Sequence, residues 1–525
     1  MRRSLLQAAV VIVLLCVAAR GWPESVGEHR LGFHGRQEPT SDTHVGRVAE
    51  TAGKPTMVKS PAERRPLRIA VFTGDIADSS RYCTAAGQIR PNFQGKTTTC
   101  GPDDVLTDSK KQTLLEFMIP SAVRLHQERL SVQRERGNIV VNSSIKQDPI
   151  CGQFSIPASH MTTGVANADF VLYVAAGPIA NDTIAWALTC QYFANGRPSV
   201  GVVDVSPDLI AASPQTVRFV AHEILHALGF NFHTFHARRM VGTVRMLRGK
   251  TNVTVIKSPM VVAQARAHFG CKEQNFLELE DMGGEGTEHS HWKRRSMKDD
   301  LMAGSQSAGI YSAITIAAME DTGFYKGNYS MAEPMMYGRN AGCRLLKDKC
   351  VVKGVSQFPE MFCGSANRTD LVCASDRLGV GSCHLTQFSS PLPATFQYFS
   401  DPKLGGSHDL MDHCPVVHAS RTASCAFDGM YLKGSVYGAR SRCFDAPAGI
   451  AESGRSSAQY GICAEVQCAD SAYAIKVSGA KMFTRCKPGT TLPLSLLSST
   501  FSSGHITCPP VDSVCGIRVS TTQAR

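Results

Sequence analysis

The sequence lacks several patterns that define common classes of protein. Its 525 residues contain no short repeat, no coiled-coil heptads and no glycine-rich dinucleotide loop, which argues against solenoid, fibrous and nucleotide-binding chains. Repeated C-x-x-C pairs are also absent, so the cysteines do not follow the pattern of a cytosolic metal-binding protein. The largely apolar stretch from Leu5 to Ala19 is short for a membrane span, and we expect no transmembrane segment.

That same stretch has the form of a secretory signal peptide. It follows the charged start Met1-Arg2-Arg3-Ser4 and ends in Val17-Ala18-Ala19, a pattern typical of signal cleavage, which predicts a signal peptide over residues 1–19. Of the 19 cysteines, Cys16 lies inside it, and the remaining 18 form an even set from Cys83 to Cys515. In the oxidising secretory route such a set predicts disulfide bonds, although spacing does not give their pairing.

Glycosylation motifs and net charge agree with this compartment. Sequons occur at Asn142, Asn181, Asn252, Asn328 and Asn367. The net charge of +11 falls to roughly +9 without the signal peptide; such a surface could favour anionic glycans or cell surfaces, but general solubility without a particular partner is the preferred explanation. We expect a secreted or vesicular glycoprotein that does not bind nucleic acid, because the compartment is wrong and no recognition module occurs.

The run His222-Glu223-Ile224-Leu225-His226 carries the strongest chemical information in the chain. Ser213-Pro214 upstream is a typical helix start, and apolar residues recur at helical spacing, which predicts a helix over about 214–228. Residues four apart share one helical face, so both imidazoles can bind one metal ion while Glu223 acts as a base. Gly229 stands where the helix must end.

A catalytic zinc usually has a third protein ligand, and the motif alone does not supply it. The short pattern H-E-x-x-H-x-x-G-x-x-H would place it at position 232, where this chain has Phe232. A downstream glutamate is one alternative and a distant histidine is the other, which Gly229 favours. The histidine candidates are His233, His236, His268, His289 and His291. Beyond them, Asp299 to Gly304 could form a tight turn that places Met302 beneath the metal.

At this point the chain resembles the leishmanolysin family of zinc endopeptidases, in which a long insertion precedes the third histidine, a tryptophan and a methionine turn. Here Ser290-His291-Trp292-Lys293 matches that order. The resemblance extends over roughly residues 66–520, through segments at 67–71, 168–175, 185–190, 323–325 and 340–343 and the cysteine-rich remainder.

The resemblance implies a fold, a cofactor and a reaction. The fold would be α+β, with a metzincin-type catalytic module of mixed twisted sheet and active-site helix, followed by a disulfide-rich C-terminal domain. His222, His226 and His291 would bind one catalytic Zn²⁺, Glu223 would be the general base, and Met302 would be the methionine of the turn. The enzyme would hydrolyse peptide bonds in protein substrates, with cell-surface or matrix proteins as further partners. The alternative is a catalytically weak adhesion protein that binds through its cysteine-rich C-terminal domain.

The predicted domains follow composition and cysteine density. After the signal peptide come a propeptide (20–65), an N-terminal catalytic subdomain (66–231), a central subdomain with the third ligand and methionine turn (232–348), and a cysteine-rich domain with little regular structure (349–525). A backing helix is expected over Lys110–Arg136. The segment 170–177 is either an exposed strand edge that binds substrate or a buried central strand, and Lys293-Arg294-Arg295 is either a solvated loop or a site for acidic peptides.

Two departures from the family pattern concern the ends of the chain. Residues Gly516 to Arg525 are polar, so no lipid anchor is expected. Family members are expected to carry a propeptide cysteine beside histidine and arginine, whereas here Leu31 follows His29-Arg30.

Because no cysteine lies between Cys16 and Cys83, we predict that latency uses another group, such as His34, or simple steric cover. Treating the purified proenzyme with an organic mercurial should leave its peptidase activity nearly unchanged. Sharp activation by this thiol reagent would count against the prediction.

Overall fold

The computed structural model describes residues 63–516 with short gaps, and it combines helices, strands and many disulfides. The gaps are residues 180–184, 285, 306–307, 365–369, 420–423, 427–431, 433, 453–454, 457–458 and 470. The predicted signal peptide, nearly all of the propeptide, the polar end after Gly516 and the sequons at Asn181 and Asn367 therefore lie outside the described residues. The α+β class is confirmed at this level.

Most helices are short, and the longest is α5. The α-helices are α1 Gly74–Ala77, α2 Asp108–Gln112, α3 Ile119–Arg129, α4 Ala158–Thr162, α5 Pro214–Ala227, α6 Phe232–Ala237, α7 Pro259–Phe269, α8 Arg294–Met297, α9 Ala313–Asp321, α10 Gly342–Lys347, α11 Leu494–Leu497 and α12 Val511–Cys515. A π-helical segment spans Thr113–Met118, and 3₁₀ turns span Ser143–Gln147, Cys151–Gln153, Pro207–Leu209, Tyr329–Met331, Ala394–Phe396 and Asp409–Met411.

The strands form several small sheets rather than one large one. They are β1 Arg64–Pro66, β2 Ile69–Phe72, β3 Ile89–Pro91, β4 Thr97–Thr99, β5 Leu130–Gln133, β6 Phe170–Ala175, β7 Ala185–Tyr192, β8 Pro198–Val205, β9 Val241–Leu247, β10 Lys250–Ile256, β11 Leu277–Glu278, β12 Tyr325–Gly327, β13 Val351–Val352, β14 Val355–Ser356, β15 Val372–Cys373, β16 Val380–Cys383, β17 Leu385–Gln387, β18 Leu404–Gly406, β19 Val417–His418, β20 Ser441–Asp445, β21 Ala451–Glu452, β22 Arg455–Ser456, β23 Gly461–Cys468, β24 Tyr473–Lys476, β25 Thr484–Cys486, β26 Thr491–Pro493 and β27 His505–Thr507.

A four-stranded mixed sheet in the order β2-β6-β8-β7 supports the rest of the N-terminal half. β2, β6 and β8 run parallel, and β7 is antiparallel to β8. β6 and β8 are buried along their whole length, which explains their nearly continuous apolar sequence. β6 pairs on both sides, so the segment at 170–177 is the buried central strand and presents no free edge to a substrate.

The predicted backing helix exists, but it is interrupted and shorter than expected. α2 leads into the π segment Thr113–Met118, which leads directly into α3, and Pro120 lies in the first turn of α3. Proline has no N–H to donate, so a wider π turn can form immediately before it. The chain then becomes strand β5 at Leu130, because the segment that starts there pairs with β1 and β12 instead of continuing the helix.

Helix α3 supports α5 through a buried histidine. The Nε2 of His126 lies 3.0 Å from the carbonyl oxygen of Ala221, and its Nδ1 lies 3.2 Å from the Tyr311 hydroxyl. A carbonyl can only accept, so Nε2 donates to Ala221 and Nδ1 accepts from Tyr311. Burial lowers the pKa of His126 to about 3, which keeps the ring neutral and this arrangement fixed.

One large hydrophobic core extends from Leu67 to Val416, and a second core occupies residues 444–514. The second core lies beside a four-stranded antiparallel sheet, β20-β23-β24-β25, so the expectation of little regular structure after residue 349 was wrong. Cross-strand pairing between segments more than a few residues apart leaves little local pattern in cysteine-rich sequence, which is why it was missed.

All 18 cysteines from Cys83 onward are paired in the structure, which confirms the expected disulfides. The pairs are Cys83–Cys100, Cys151–Cys190, Cys271–Cys343, Cys350–Cys414, Cys363–Cys383, Cys373–Cys443, Cys425–Cys463, Cys468–Cys515 and Cys486–Cys508.

The basic triplet Lys293-Arg294-Arg295 is buried, so neither sequence interpretation of it was right. The Lys293 side chain is 0% exposed, and its Nζ lies 2.6 Å from both Glu280 and Asp281 and 2.8 Å from Asp412. Lysine and arginine have long apolar stems and can enter a core where carboxylates match their charge. The charged side chains of this triplet therefore lie inside the protein and do not face solvent.

Asp412 is the centre of this buried ion cluster. Its carboxylate also contacts Lys250 at 2.6 Å and Arg248 at 3.3 Å, which ties the β9–β10 hairpin to a segment some 160 residues later in the chain. Burial opposes its ionisation, but the charges of Lys293, Lys250 and Arg248 outweigh burial and hold the pKa of Asp412 well below its usual range. The residue has φ of 54°, a conformation that asparagine also tolerates.

Replacing Asp412 by asparagine should lower the free energy of unfolding at pH 7 by about 3 to 5 kcal/mol, because buried cations lose their partner while the backbone can keep its conformation. The folded-state pKa is depressed, so the stabilisation is present above the unfolded value of about 3.9 and is lost as pH falls through the folded value. Urea unfolding at pH 7 and below pH 4 measures both effects. The control Asp348→Asn breaks the exposed Arg344–Asp348 pair and should cost less than about 1 kcal/mol. Equal losses in the two variants would contradict the buried ion-cluster account.

Candidate metal centre

Helix α5 carries the H-E-x-x-H motif and is well defined at both ends. The Ser213 side chain accepts a hydrogen bond from the Thr216 N–H, the Thr216 hydroxyl accepts one from the Ser213 N–H, and Pro214 occupies the first turn. This reciprocal cap satisfies N–H groups that have no partner within the helix. The helix ends at Ala227, and Gly229 follows with φ of 108°, a value that glycine tolerates best. α5 packs against β7, β8 and α3, so its orientation is set by the core.

Three histidines meet at one point beside this helix. The Nε2 atoms of His222 and His226 are 3.0 Å apart, and the Nε2 of His291 lies 3.0 Å from the first and 3.1 Å from the second. His291 comes from a loop 65 residues beyond His226. His222 and His291 are buried, and His226 is partly buried.

The opposite nitrogen of each ring is held by a backbone carbonyl. Because a carbonyl only accepts, each Nδ1 carries the proton and each Nε2 presents its lone pair to the common point. The Nδ1 atoms of His222, His226 and His291 donate to the carbonyl oxygens of Leu301 (2.6 Å), Phe230 (2.7 Å) and Thr287 (3.0 Å).

Electrostatics agree with three neutral rings. Burial lowers the pKa of His222 to about 4 and that of His291 to about 3. Burial, followed by the neighbouring imidazoles, also places the pKa of His226 well below its usual value. Three converging lone pairs with no proton between them repel, and a cation at their common point removes that repulsion.

The donor set fits a metal ion with nitrogen ligands. A tetrahedral zinc with Zn–N distances of about 2.05 Å separates its nitrogens by about 3.3 Å, close to the observed separations. In metal sites the second nitrogen of a histidine ligand usually donates to a carbonyl or carboxylate, as each ring does here. His222, His226 and His291 can therefore hold one metal ion.

The other histidine candidates lie elsewhere. His289 Nε2 is 3.1 Å from the Thr254 hydroxyl, and its ring lies 5.2 Å from the ring of Phe232. His268 Nε2 is 2.9 Å from the Tyr337 carbonyl oxygen. The rings of His233 and His236 lie near Tyr192 and Phe232 respectively. The structure thus brings His291, and none of these four, to the two helical histidines.

The loop that carries His291 is joined to the turn that contains Met302. The Trp292 N–H donates to the Met302 carbonyl at 2.9 Å, and the Met302 N–H donates to Asp300 at 2.7 Å. Asp300 also accepts hydrogen bonds from the hydroxyls of Ser312 and Thr315. Met302 is completely buried in this turn. Its neighbour Leu301 supplies the carbonyl that orients His222, so the turn positions one member of the triad.

Glu223 lies between the two helical histidines in sequence and is only 7% exposed. Burial raises the pKa of its carboxyl to about 8. A buried carboxylate next to a potential metal site is a candidate proton acceptor.

Sequence reasoning missed the groups that hold these side chains in place. The three carbonyl acceptors are backbone atoms, which every residue has, so the sequence does not show which ones hold the rings. Arg218, one helical turn before His222, forms a buried ion pair with Glu333 and donates to the Gly309 carbonyl at 2.7 Å. The position of Arg218 on the apolar side of α5 was the one sequence feature that indicated this ion pair, because a buried arginine needs a partner.

Three neutral histidines that can hold a metal ion, with a buried glutamate between two of them on α5, form the arrangement that a metallopeptidase requires. Comparison with known proteins gives the family. A family model described as leishmanolysin matches residues 12–521. The chain is 40% identical over 489 residues to leishmanolysin of Leishmania donovani, covering 91% of this chain and 82% of the relative. It is 41% identical over 461 residues to leishmanolysin of Leishmania major, covering 86% and 76%. A leishmanolysin-like peptidase of Drosophila melanogaster is 27% identical over 539 residues, covering 78% of each chain.

The chain therefore belongs to the leishmanolysin family of zinc metalloendopeptidases. The resemblance drawn from the sequence motifs is confirmed.

Removing the Asp300 side chain should weaken metal binding without touching a histidine. Asp300→Ala frees the Met302 N–H and the turn that presents the Leu301 carbonyl to His222, and losses of such supporting contacts typically cost about 10- to 100-fold in metal affinity. Competition against a chelator of known affinity measures the effect. Asp299→Ala is the control, since Asp299 is buried next in sequence but pairs with Lys298 instead of the turn. Unchanged affinity in Asp300→Ala would rule out this role.

Proposed function

We propose that this protein is a secreted zinc endopeptidase in which His222, His226 and His291 bind one zinc ion and Glu223 is the general base. The observation that carries the proposal is the convergence of three neutral imidazole nitrogens within 3.1 Å of one another. Imidazole nitrogens in this number suit a catalytic zinc, which keeps its fourth position for water or substrate.

A zinc ion bound there would polarise the peptide carbonyl and lower the pKa of a nearby water. Glu223 accepts a proton from the attacking water and later gives it to the leaving amine. The low exposure of Glu223 keeps bulk water away from this proton transfer. The three Nδ1–H···O=C hydrogen bonds hold the imidazoles in one orientation throughout. Met302 forms an apolar floor in the turn below, and Gly229 lets the chain turn away after α5.

The substrate is a protein or peptide in extended conformation. In the described part of the four-stranded sheet, β7 combines an unpaired outer edge with packing against α5. An extended peptide can pair with such an edge through main-chain hydrogen bonds. The pairing of Cys190 in β7 with Cys151 fixes this edge to the preceding segment. A mixed sheet with an edge strand beside the zinc helix fits a metzincin-type module.

The secretory route is part of the same proposal. Nine disulfides persist in oxidising compartments, and the described residues contain no helix long and apolar enough to cross a membrane. The sequons at Asn142, Asn252 and Asn328 are all exposed, as glycosylation requires.

We retain the division at residues 231 and 348 into catalytic, central and cysteine-rich parts. The family assignment does not favour the alternative of a catalytically weak binding protein.

Two substitutions separate metal binding from catalysis. Glu223→Gln should keep one zinc per chain but lower kcat/KM by at least about 100-fold, because the carboxylate that accepts the proton is gone. His291→Ala should lose both zinc and activity, because two imidazoles remain. Metal content by elemental analysis and cleavage of a protein substrate, with and without a chelator, measure these outcomes.

His289→Ala is the matched control for His291→Ala. It removes a nearby imidazole that contacts Thr254 instead of the triad, so zinc and activity should persist. Zinc retained in His291→Ala, or full activity in Glu223→Gln, would refute the assignment of ligands or of the base.

A further inference from the structure

A second site lies outside the histidine triad, in a cavity of about 370 Å³. Its walls come from the start of the described chain, the end of β5, the turn before β8, the residue after α6 and the turn before β12. They include four arginines and one carboxylate, namely Arg64, Arg134, Arg197, Arg238 and Glu135. None of the lining residues belongs to the histidine site, so this cavity is independent of the proposed peptidase chemistry.

Two of the arginines, one buried and one exposed, stack on neighbouring aromatic rings. Arg197 is 2% exposed and forms the floor: one of its nitrogens donates to the Asp169 carbonyl at 2.9 Å, and its guanidinium lies 4.5 Å over the Phe193 ring. The guanidinium of Arg238 lies 5.0 Å over the ring of Phe324. Stacking on an aromatic face orients a guanidinium while leaving its N–H groups free to bind.

Gly323 allows Arg238 to lie this close. A Cβ at position 323 would stand 2.7 Å from the Nη2 of Arg238, and the residue has φ of 79°, which also favours glycine. The carbonyl of the next residue, Phe324, accepts a hydrogen bond from Arg64 at 3.3 Å. One turn of chain thus brings two cationic side chains to the same wall.

The positive charges of this cavity exceed the negative charges that the described residues bring to it. Glu135 lies 3.5 Å from Arg197, whereas Arg64, Arg134 and Arg238 have no carboxylate partner among the described residues. The nearby Glu63 pairs with Arg65 instead. The Nε–H of Arg134 is buried and has no acceptor within the described chain. A buried donor without an acceptor costs free energy, and neighbouring guanidinium groups repel in a cleft.

We propose that this cavity binds a phosphate or sulfate ester carried on a sugar-sized molecule. A guanidinium group can donate two parallel hydrogen bonds to the oxygens of such an oxyanion. Several guanidinium groups together can neutralise a phosphate or sulfate group, whose negative charge is spread over more oxygens than that of a carboxylate. The volume lies at the small end of the range for small-molecule sites, which suits a single sugar ring bearing the anionic group. The ester could come from a sulfated glycan or from a phosphorylated sugar headgroup, and both use the same oxyanion chemistry.

Calorimetric titration of the folded protein with mannose 6-phosphate and with glucosamine 6-sulfate tests the proposal and separates the two sources. Saturable one-to-one binding of at least one ester is expected. Arg238→Gln should weaken that binding about tenfold, because a charged donor facing the anion is lost. Arg238→Lys should recover part of the affinity, because it keeps the charge but lacks the planar fork.

Arg245→Gln provides the matched control. Arg245 is an exposed arginine on β9 outside the cavity, so its replacement removes the same charge and should change affinity less than about twofold. Failure of the wild-type protein to bind either ester saturably would overturn the proposal. Equal weakening by Arg238→Gln and Arg245→Gln would overturn it too, because only overall charge would then matter. Thermal unfolding of each variant verifies that it is folded.

Discussion

The histidine site depends on one constraint: each imidazole must turn a lone pair inward, so each needs a hydrogen-bond acceptor behind it. The three acceptors are carbonyls of Leu301, Phe230 and Thr287, which belong to separate loops. Two histidines on one helix achieve their mutual distance through helical geometry alone. The direction in which each ring points is set by the loops that carry these carbonyls, two of which lie far along the chain from α5. Much of the central fold is therefore needed to orient the three imidazoles.

Those segments are fixed by charge as well as by apolar packing. Arg218 and Glu333 join α5 to the chain beyond the methionine turn, and Lys293 joins the ligand loop to Asp412. A buried ion pair adds little to the free energy of unfolding compared with apolar residues of similar size, but removing one partner lowers that free energy strongly. Such pairs therefore penalise wrong arrangements strongly, and they favour the single arrangement in which every buried charge finds its partner.

The features that could be predicted from the sequence are those set by interactions between residues close together in the chain. The cap at Ser213, the helix and the shared face of His222 and His226 follow from short-range pattern. His291 could not be chosen over His289 by spacing, since 65 residues separate it from His226, and only resemblance favoured it. The triplet from Lys293 to Arg295 was misjudged because hydrophilic residues usually mark the surface, and its partners lie in remote segments. The C-terminal sheet was missed for a related reason: β20 pairs with β23 across an intervening segment that contains β21 and β22, and such pairing leaves little local pattern.

The Arg218–Glu333 pair spans 115 residues, and this has a consequence for biosynthesis. As the chain leaves the ribosome, α5 and its two histidines emerge first, and the third histidine follows well before Glu333. Until residue 333 is available, the arginine on α5 faces the interior of an incomplete domain without its counter-charge. The nascent chain therefore completes the support of α5 only after all three histidines of the triad have been made.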